Sequence, residues 1–392
     1  MRKKTGSRAY AKAGVNLDAG DAFSAFAGTI CRGSFGNSTF VKVVDESLGH
    51  FRGPRGWQYV GFPPDTFHVG APDGIGTATI LISAAENFGT SASRLVAMTE
   101  GDVTRFGGLP LVFINHLDAK RLGQPDSQLF INFQTMMAGL GRIATQGRFV
   151  LMGGETAEMS QCVSGEITGP AEENRPTFNW SGVMLGVNHP SMLITGQAVK
   201  IGDRIIALRD SLRSNGASLM RRYLRERYGN LWWMNPQASE VVTAMASPAA
   251  LYGSFLTAIN GWYNNFKPII RVQAIAHLSG GAIRSKLADD VLFQHGLSAV
   301  LDNLWEPPQF MLDCVSHFEM PDQEAYTVLN GGQGLLAIVR ESDVDGFCEK
   351  ATQFGIEARN AGYIDKQFRV PRLQIRSGFS GKLFTMKRTK AS

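Results

Sequence analysis

Several short stretches of this 392-residue chain set glycines beside groups that carry or bind charge. In "RFVLMGGETAEM" (148–159) an apolar run meets Gly153 and Gly154, and Glu155 and Glu158 follow three residues apart. "HVGAPDGIGTATI" places Asp73 directly before Gly74 and Gly76, with Thr77 next; "RSNGASLMRR" puts Asn215 and Gly216 ahead of a helical pattern; "AHLSGGAIRSKL" ends an apolar run at Gly280 and Gly281. Glycine lacks a Cβ, so the chain can turn sharply and a ligand can reach bare amides. Unpaired N–H groups at a loop or helix start favour an anion, and repeated junctions of this kind point to a phosphorylated ligand. There is no GxxxxGK[ST] and no strand-linked GxGxxG, which excludes a Walker A loop and a dinucleotide fingerprint. Carboxylates near such loops suit Mg²⁺, a hard cation held by one or two carboxylates plus phosphates. Asp73, Asp102, Glu155 and Glu158 are the candidates. Each has a plainer reading: Asp102 as an exposed helix residue, Glu155 and Glu158 as acids at a helix N-terminus, and the double glycine as a strand-to-loop turn. His277 closes an apolar strand, a place where histidine is more often a satisfied buried side chain than a catalyst.

The elements that must position these residues are legible as alternating patterns. Short β-rich runs occur at "LPLVFI" near 109, "RFVLM" near 148, "GVMLGV" near 182, "RIIALR" near 204, "IIRVQAIAHL" near 269 and "GLLAIV" near 334. Between them, 127–147 and 217–229 carry apolar residues at spacings of three and four, which predicts amphipathic helices, each ending at glycine. The fold class is therefore α/β (α+β), with mixed sheets packed with helices. The length and a 44% hydrophobic content suit two domains. The turn-rich segment 187–204 places their boundary near 195, giving an N-terminal extension over 1–60, a first domain over 61–195 and a second over 196–392 with a basic tail. The polar segment 162–178 reads as a long surface loop.

Composition excludes other classes. The net charge of +5 comes from 39 basic and 34 acidic residues spread along the chain, without the stripe a nucleic-acid partner would need. The basic ends, "MRKK" and "TMKRTK", read as solvated tails. Cys31, Cys162, Cys314 and Cys348 form no CxxC pair, so neither a disulfide framework nor a zinc site is expected, and a reducing compartment fits. No window reaches the roughly 18 apolar residues of a membrane span, and no cleavable leader is evident, so the expected location is the cytoplasm.

Taken in order, the junctions resemble the aminoimidazole ribonucleotide (AIR) synthetases, the cyclo-ligases of purine biosynthesis, and more broadly their superfamily with selenophosphate synthetase and thiamine-monophosphate kinase. "YAKAGVNLDAGDAF" is similar to the family's YxxAGVDIDAG, "PDGIGT" to TDGVGT, and "LVAMTEGDVTRFGGLPLVF" to LVAMCVNDxxxxGAEPLFF. "LMGGETAEM" matches LxGGETAEM, "RSNGASL" resembles HSNGYSL, "AHLSGG" resembles AHITGG, and "LNGGQGL" stands where the family has FNxGxGM. The resemblance runs from about residue 9 to 340, and GGETAEM is its most specific part. It implies two domains of the AIR synthetase-like fold, a homodimer joined through the N-terminal sheet, and an ATP-dependent closure of formylglycinamidine ribonucleotide (FGAM) to an imidazole. Carried over residue by residue, it implies catalytic roles for Asp73, Asp102 and Glu155, with Asp73 and Asp102 as metal ligands. It places the nucleotide on Gly74, Gly76, Thr77, Gly153, Gly154 and Thr156, to which the departure at Arg94 adds a further expected nucleotide contact, and a substrate phosphate on Ser214, Asn215, Gly216, Gly280 and Gly281.

The chain departs from the family's pattern at charged positions. The aspartate before LVAM is Arg94, the asparagine of VND is Gly101, and the aspartates of FLDY and DVAG are Asn115 and Asn179. The lysine after DGVGT is Ala78, the histidine of HSNG is Arg213, and the third glycine of TGGG is Ala282. The acidic exchanges disfavour Mg²⁺ and lead to the expectation that Arg94 takes the cation's place and grips phosphate with a bidentate fork. Three readings stay open on sequence: an active cyclo-ligase, an inactive dimeric homologue with a structural or nucleotide-sensing role, and a related phosphotransferase. Residues 43–56, "VVDESLGHFRGPRG", replace the family's glycine-rich segment and read as a mobile cover.

Overall fold

Asn16 starts the first described helix, α1 (Leu17–Gly33), its side-chain oxygen accepting from the Ala19 amide at 3.2 Å, as an N-cap does. The computed structural model describes residues 16–47 and 54–388; the N-terminal basic stretch and residues 10–15 of the YAKAGV segment lie outside them. After α1 come a hairpin of β1 (Val41–Asp45) and β2 (Arg55–Tyr59), then β3 (Phe67–Gly74), α2 (Ala78–Ala85), α3 (Ala92–Thr104), β4 (Leu109–Ala119), α4 (Gln128–Gly147), β5 (Val150–Glu158) and β6 (Phe178–Asn188). The chain continues with β7 (Arg204–Arg209), α5 (Ala217–Tyr228), α6 (Ser239–Met245), α7 (Gly253–Ile259) and β8 (Val272–His277). A π-helical stretch at Arg284–Leu292 is followed by β9 (Ser298–Leu301), α8 (Gln309–His317), α9 (Asp322–Val328), β10 (Gln333–Val339), α10 (Val344–Gln353), β11 (Ala358–Asp365), β12 (Arg372–Arg376) and β13 (Leu383–Lys387). Among the described residues no helix is long and apolar enough to cross a membrane.

Two compact units result, and they interleave. Among the described residues, one unit falls within 1–100, 110–187 and 231–248, and the other within 101–109, 188–230 and 249–392. A single cut near 195 therefore does not divide them: α3 begins in the first unit and ends in the second, and the excursion 231–248 returns to the first. Nothing in local composition marks that return, because a boundary set by tertiary contacts leaves no linker to read.

In the first unit a four-stranded sheet runs in the order β3-β6-β4-β5. Helix α4 is the expected one: Ser127 caps it by accepting from the Phe130 amide, and Phe130, Phe133, Met137, Leu140 and Ala144 form its buried stripe. Phe23 of α1 meets Phe130 edge-on at 6.1 Å. The double glycine does not end a strand. β5 pairs parallel with β4 as far as Ala119↔Glu158, and a register shift falls between Phe113↔Leu151 and Ile114↔Gly153. Gly153, with φ at +133°, sits where L residues are strained, and a Cβ on Gly154 would lie 2.3 Å from the Asn115 carbonyl oxygen. The glycines carry the strand through a bulge instead of turning it into a helix, so Glu155 and Glu158 are strand residues and not helix-start acids.

The second unit is built on a seven-stranded sheet ordered β13-β12-β9-β11-β7-β10-β8, antiparallel except where β12 meets β9. Both its faces are covered. Ile205 and Ala207 enter one core with Ala276 and Leu336, and Ile206 and Leu208 enter the other with Phe255 and Phe347. That two-sided burial is why "RIIALR" and "GLLAIV" read as unbroken apolar runs. Substituting Gly154→Ala should set a methyl against the Asn115 carbonyl and cost about 1–3 kcal/mol, seen as a lower urea midpoint at unchanged slope; an unmoved midpoint would show that the strand does not need glycine at the bulge.

Candidate functional site

In the first unit, a cavity of about 720 Å³ opens where four local features meet. The hairpin contributes Arg55 and Trp57, which alternate onto one side of β2; the end of β3 contributes Asp73; β4 and β5 contribute Asn115, His116, Gly153, Gly154 and Glu155; and β6 contributes Ser181. The bulge is held from behind. Asn115 Oδ1 accepts from the buried Trp180 indole at 3.0 Å, and its Nδ2 donates to the Gly153 carbonyl at 3.3 Å. A carboxylate at 115 could not make that second bond, which gives the Asn115 departure a structural reason. Asp73 accepts from the Gly74 amide at 2.7 Å. Glu155 is exposed and makes no hydrogen bond or ion pair among the described residues. His116 Nε2 lies 2.9 Å from Asp118 on the same strand face. The sequence thus leads to Asp73, Gly153, Gly154 and Glu155, which the fold brings together. It does not lead to Arg55, Trp57, His116 and Ser181; the only signal for the first two is the alternation in "RGWQY", masked by the reading of 43–56 as a cover.

Other expected members stand elsewhere. Gly74 lies one residue beyond Asp73, where an added Cβ would stand 3.3 Å from the Trp180 carbonyl oxygen, while Gly76 and Thr77 lead into α2 and do not line the cavity. Thr156 pairs with Leu117 inside the ladder. Glu158 accepts backbone N–H bonds from Asn16 and Leu122, so it ties α1 to the sheet. Asp73 belongs to the first unit and Asp102 to the second, and among the described residues no group of three or more His, Cys, Asp or Glu gathers to hold a metal ion.

In the second unit Asp102 accepts from His277 Nδ1 at 3.2 Å and faces Arg105 at 3.7 Å. The ring of His277 is 0% exposed, and burial pushes its pKa down to about 4 despite the hydrogen bond to Asp102, with Arg213 and Arg105 adding to the fall. Burial raises the Asp102 carboxyl, but the bond from His277 and the cations Arg105 and Lys286 outweigh it and hold it below the ordinary range. A carboxylate only accepts, so the neutral ring carries its proton on Nδ1 and presents a bare, buried Nε2. The ring fits because residue 101 is glycine: a Cβ there would lie 2.4 Å from the imidazole. Nearby in sequence, Gly216 at φ +86° opens α5, and the buried Ser214 Oγ and Asn215 Nδ2 find no partner among the described residues. Gly280 brings its backbone beside Asn215, 3.6 Å from Oδ1 to an added Cβ. Uncharged donors are therefore collected at Ser214, Asn215 and Gly280, next to Gly281.

The two arginine departures are packing devices. Arg94, 1% exposed, donates through Nη2 to the carbonyls of Met245 and Ser247, the latter at 2.9 Å. Its guanidinium is turned to backbone at the end of α6 and does not reach the cavity, which corrects the expectation of an arginine in the cation's place. Arg213, 2% exposed, pairs with Asp210 at 2.8 Å and donates to the Ala250 carbonyl at 3.0 Å. Ala78 is 0% exposed, so a lysine there would be buried. Asn179 reaches Asp118 at 3.5 Å, and Ala282 takes a positive φ of 44°.

The sequence matches the family described as AIR synthase related protein, C-terminal domain, over residues 200–371. It is 26% identical over 365 residues to the phosphoribosylformylglycinamidine cyclo-ligase of Prochlorococcus marinus (strain MIT 9211), covering 91% of this chain and 95% of that one. The cyclo-ligase of Myxococcus xanthus (strain DK1622) is 27% identical with the same coverage. Among solved structures, thiamine-monophosphate kinase from Stenotrophomonas maltophilia K279a superposes with a TM-score of 0.55 at 14% identity, over 90% of this chain and 95% of that one. The hydrogenase maturation protein HypE in complex with ATP gives 0.54 at 11% identity, over 88% and 91%. Both are likenesses of fold.

Two outcomes test whether the departures hold the structure. Arg213→His, which restores the family's residue, should destabilise by about 3 kcal/mol because Asp210 is left buried without its cation; equal stability in urea would contradict the packing role. His277 prefers its neutral form when folded, so the unfolded chain takes up the extra proton. Stability should hold above about pH 6.5 and fall as pH drops towards about 4; a His277→Gln variant should lose that slope in Tm against pH, and an identical slope would reject the assignment. These exchanges are local, whereas the matched sequence spans nine-tenths of the chain and the architecture is shared: the chain is similar in sequence to the AIR synthase-related proteins and has their fold, with departures that include Arg94, Asn115, Asn179 and Arg213.

Proposed function

We propose that the chain binds ATP in the cavity of its first unit and uses it to close FGAM to AIR, working as a cytoplasmic homodimer. The observation that carries this reading is the convergence of Asp73, Asn115, the Gly153–Gly154 bulge and Glu155 on one open cavity, in a chain alignable to named cyclo-ligases over most of its length. In that reaction ATP phosphorylates the amide oxygen of FGAM, the neighbouring nitrogen attacks the same carbon, and phosphate leaves. Such chemistry asks for alignment and charge neutralisation more than for a strong base. Asp73 and Glu155 would share a Mg²⁺ with the phosphates, which would supply charge neutralisation; Asp102, engaged by His277 and Arg105, has no part in it. The unpartnered donors of Ser214 and Asn215 with Gly216, Gly280 and Gly281 suit a substrate phosphate. Part-buried Val69 and Leu185 lie together beside the four-stranded sheet, at a face which a second copy would cover.

A second reading keeps the nucleotide and drops the ring closure. It is favoured by Arg213 and Ala78, where the family's histidine and lysine are replaced by groups buried in the packing. The test mixes the purified chain with ATP, Mg²⁺ and FGAM. FGAM-dependent ADP release, with a dimer mass by light scattering, is expected; ADP release without FGAM points to another acceptor. ATP binding without release selects the sensor, and no thermal stabilisation at a hundredfold excess over Kd, where about 2.7 kcal/mol is expected, sinks both.

A further inference from the structure

We propose that Arg55, on the hairpin, is the anion-binding group of the first unit's cavity and grips the phosphate chain of the nucleotide. The inference rests on the ATP reading above. Asp73 and Glu155 give the cavity two carboxylates, and a polyphosphate entering it needs a positive counterpart. Arg55 is the one arginine or lysine among the described lining residues. Its guanidinium lies over the Phe35 ring and is held by the hairpin along one edge. Nε lies 3.4 Å from Asp45 Oδ2, directly across the hairpin in the Asp45↔Arg55 register, and Nη2 donates to Ser47 Oγ at 3.3 Å. Nη1 makes no hydrogen bond among the described residues and lies on the other side, 4.0 Å from where a Cβ on Gly153 would be.

The hairpin thus fixes the fork while leaving one donor edge towards the glycine bulge, where a phosphate oxygen would also meet bare backbone. A guanidinium so oriented offers paired N–H donors to phosphate, which an ammonium cannot reproduce. Trp57, two residues along the same strand, lines the same cavity, so this side of β2 faces the ligand space. Arg94, the arginine the sequence points to, is committed to the Met245 and Ser247 carbonyls.

The test is calorimetric titration of the full-length chain with ATP, inorganic tripolyphosphate and adenosine, before and after Arg55→Gln and Arg55→Lys, with Tm as the control for folding. Arg55→Gln should weaken ATP and tripolyphosphate about tenfold or more and leave adenosine unchanged, with Arg55→Lys between. ATP bound equally well after Arg55→Gln overturns the role of Arg55 and leaves the nucleotide reading standing. Arg55-dependent binding of tripolyphosphate without ATP binding overturns the nucleotide reading and supports the anion site. A wild-type chain that binds neither overturns both, as would equal losses for adenosine and ATP overturn a phosphate role.

Discussion

The first unit turns on the pairing of β4 with β5 through a bulge. A parallel ladder shifted in register between Phe113 and Ile114 has to absorb one extra residue, and it does so where Gly153 can take a positive φ and Gly154 can lie against the Asn115 backbone. Asn115 then fastens the bulge to the buried indole of Trp180. Without that fastening, Gly153, Gly154 and Glu155 would not face the cavity that Asp73 enters from β3. One neutral side chain serves here because it must donate and accept at once.

That requirement explains why exchanges of charge in this chain do not read simply as losses. Arg94 and Arg213 each close hydrogen bonds to carbonyls on either side of residues 248 and 249, each within its own unit. Gly101 opens the space that the His277 ring fills. A buried cation is tolerable only where oxygens surround it, and a buried imidazole only when neutral. The exchanges at Arg94, Gly101, Asn115 and Arg213 are each matched by a neighbour that would be crowded or unpaired under the family's residue, so these changes form small packing sets.

The sequence made much of this legible and hid the rest for physical reasons. Strands such as β7 and β10 were readable because burial on both faces leaves an unbroken apolar run, and α4 because its stripe, Ser127 cap and terminal Gly147 agree. β5 was readable only to Met152: glycine signals a turn in most contexts, and no local feature says that a neighbouring strand keeps pairing beyond it. β9, β11, β12 and β13 were not read, being short or mixed in polarity, with their partners distant in sequence. Of the site, Asp73, Gly153, Gly154 and Glu155 could be found because glycine and acid stand side by side. Arg55 could not, since its place depends on the hairpin folding back over the bulge.

The two units have diverged in different ways, and the state of their ionisable groups shows it. In the second unit the titratable groups near the family's motifs are engaged: Asp102 with His277, Asp210 with Arg213. Among the described residues there, the Ser214 hydroxyl and Asn215 amide are unsatisfied and uncharged, donors that can hold an anion. In the first unit's cavity Glu155 is exposed, without a hydrogen bond or ion pair among the described residues, beside an arginine tied down on one edge. An unpaired carboxylate costs a fold nothing at the surface and contributes little to its stability, whereas a cavity that must accept and release a charged ligand needs groups that are not already neutralised. Both units use buried charge to fix packing, Arg94 in the first and Arg213 in the second, while the first also keeps charge at its cavity available to solvent and to whatever enters it.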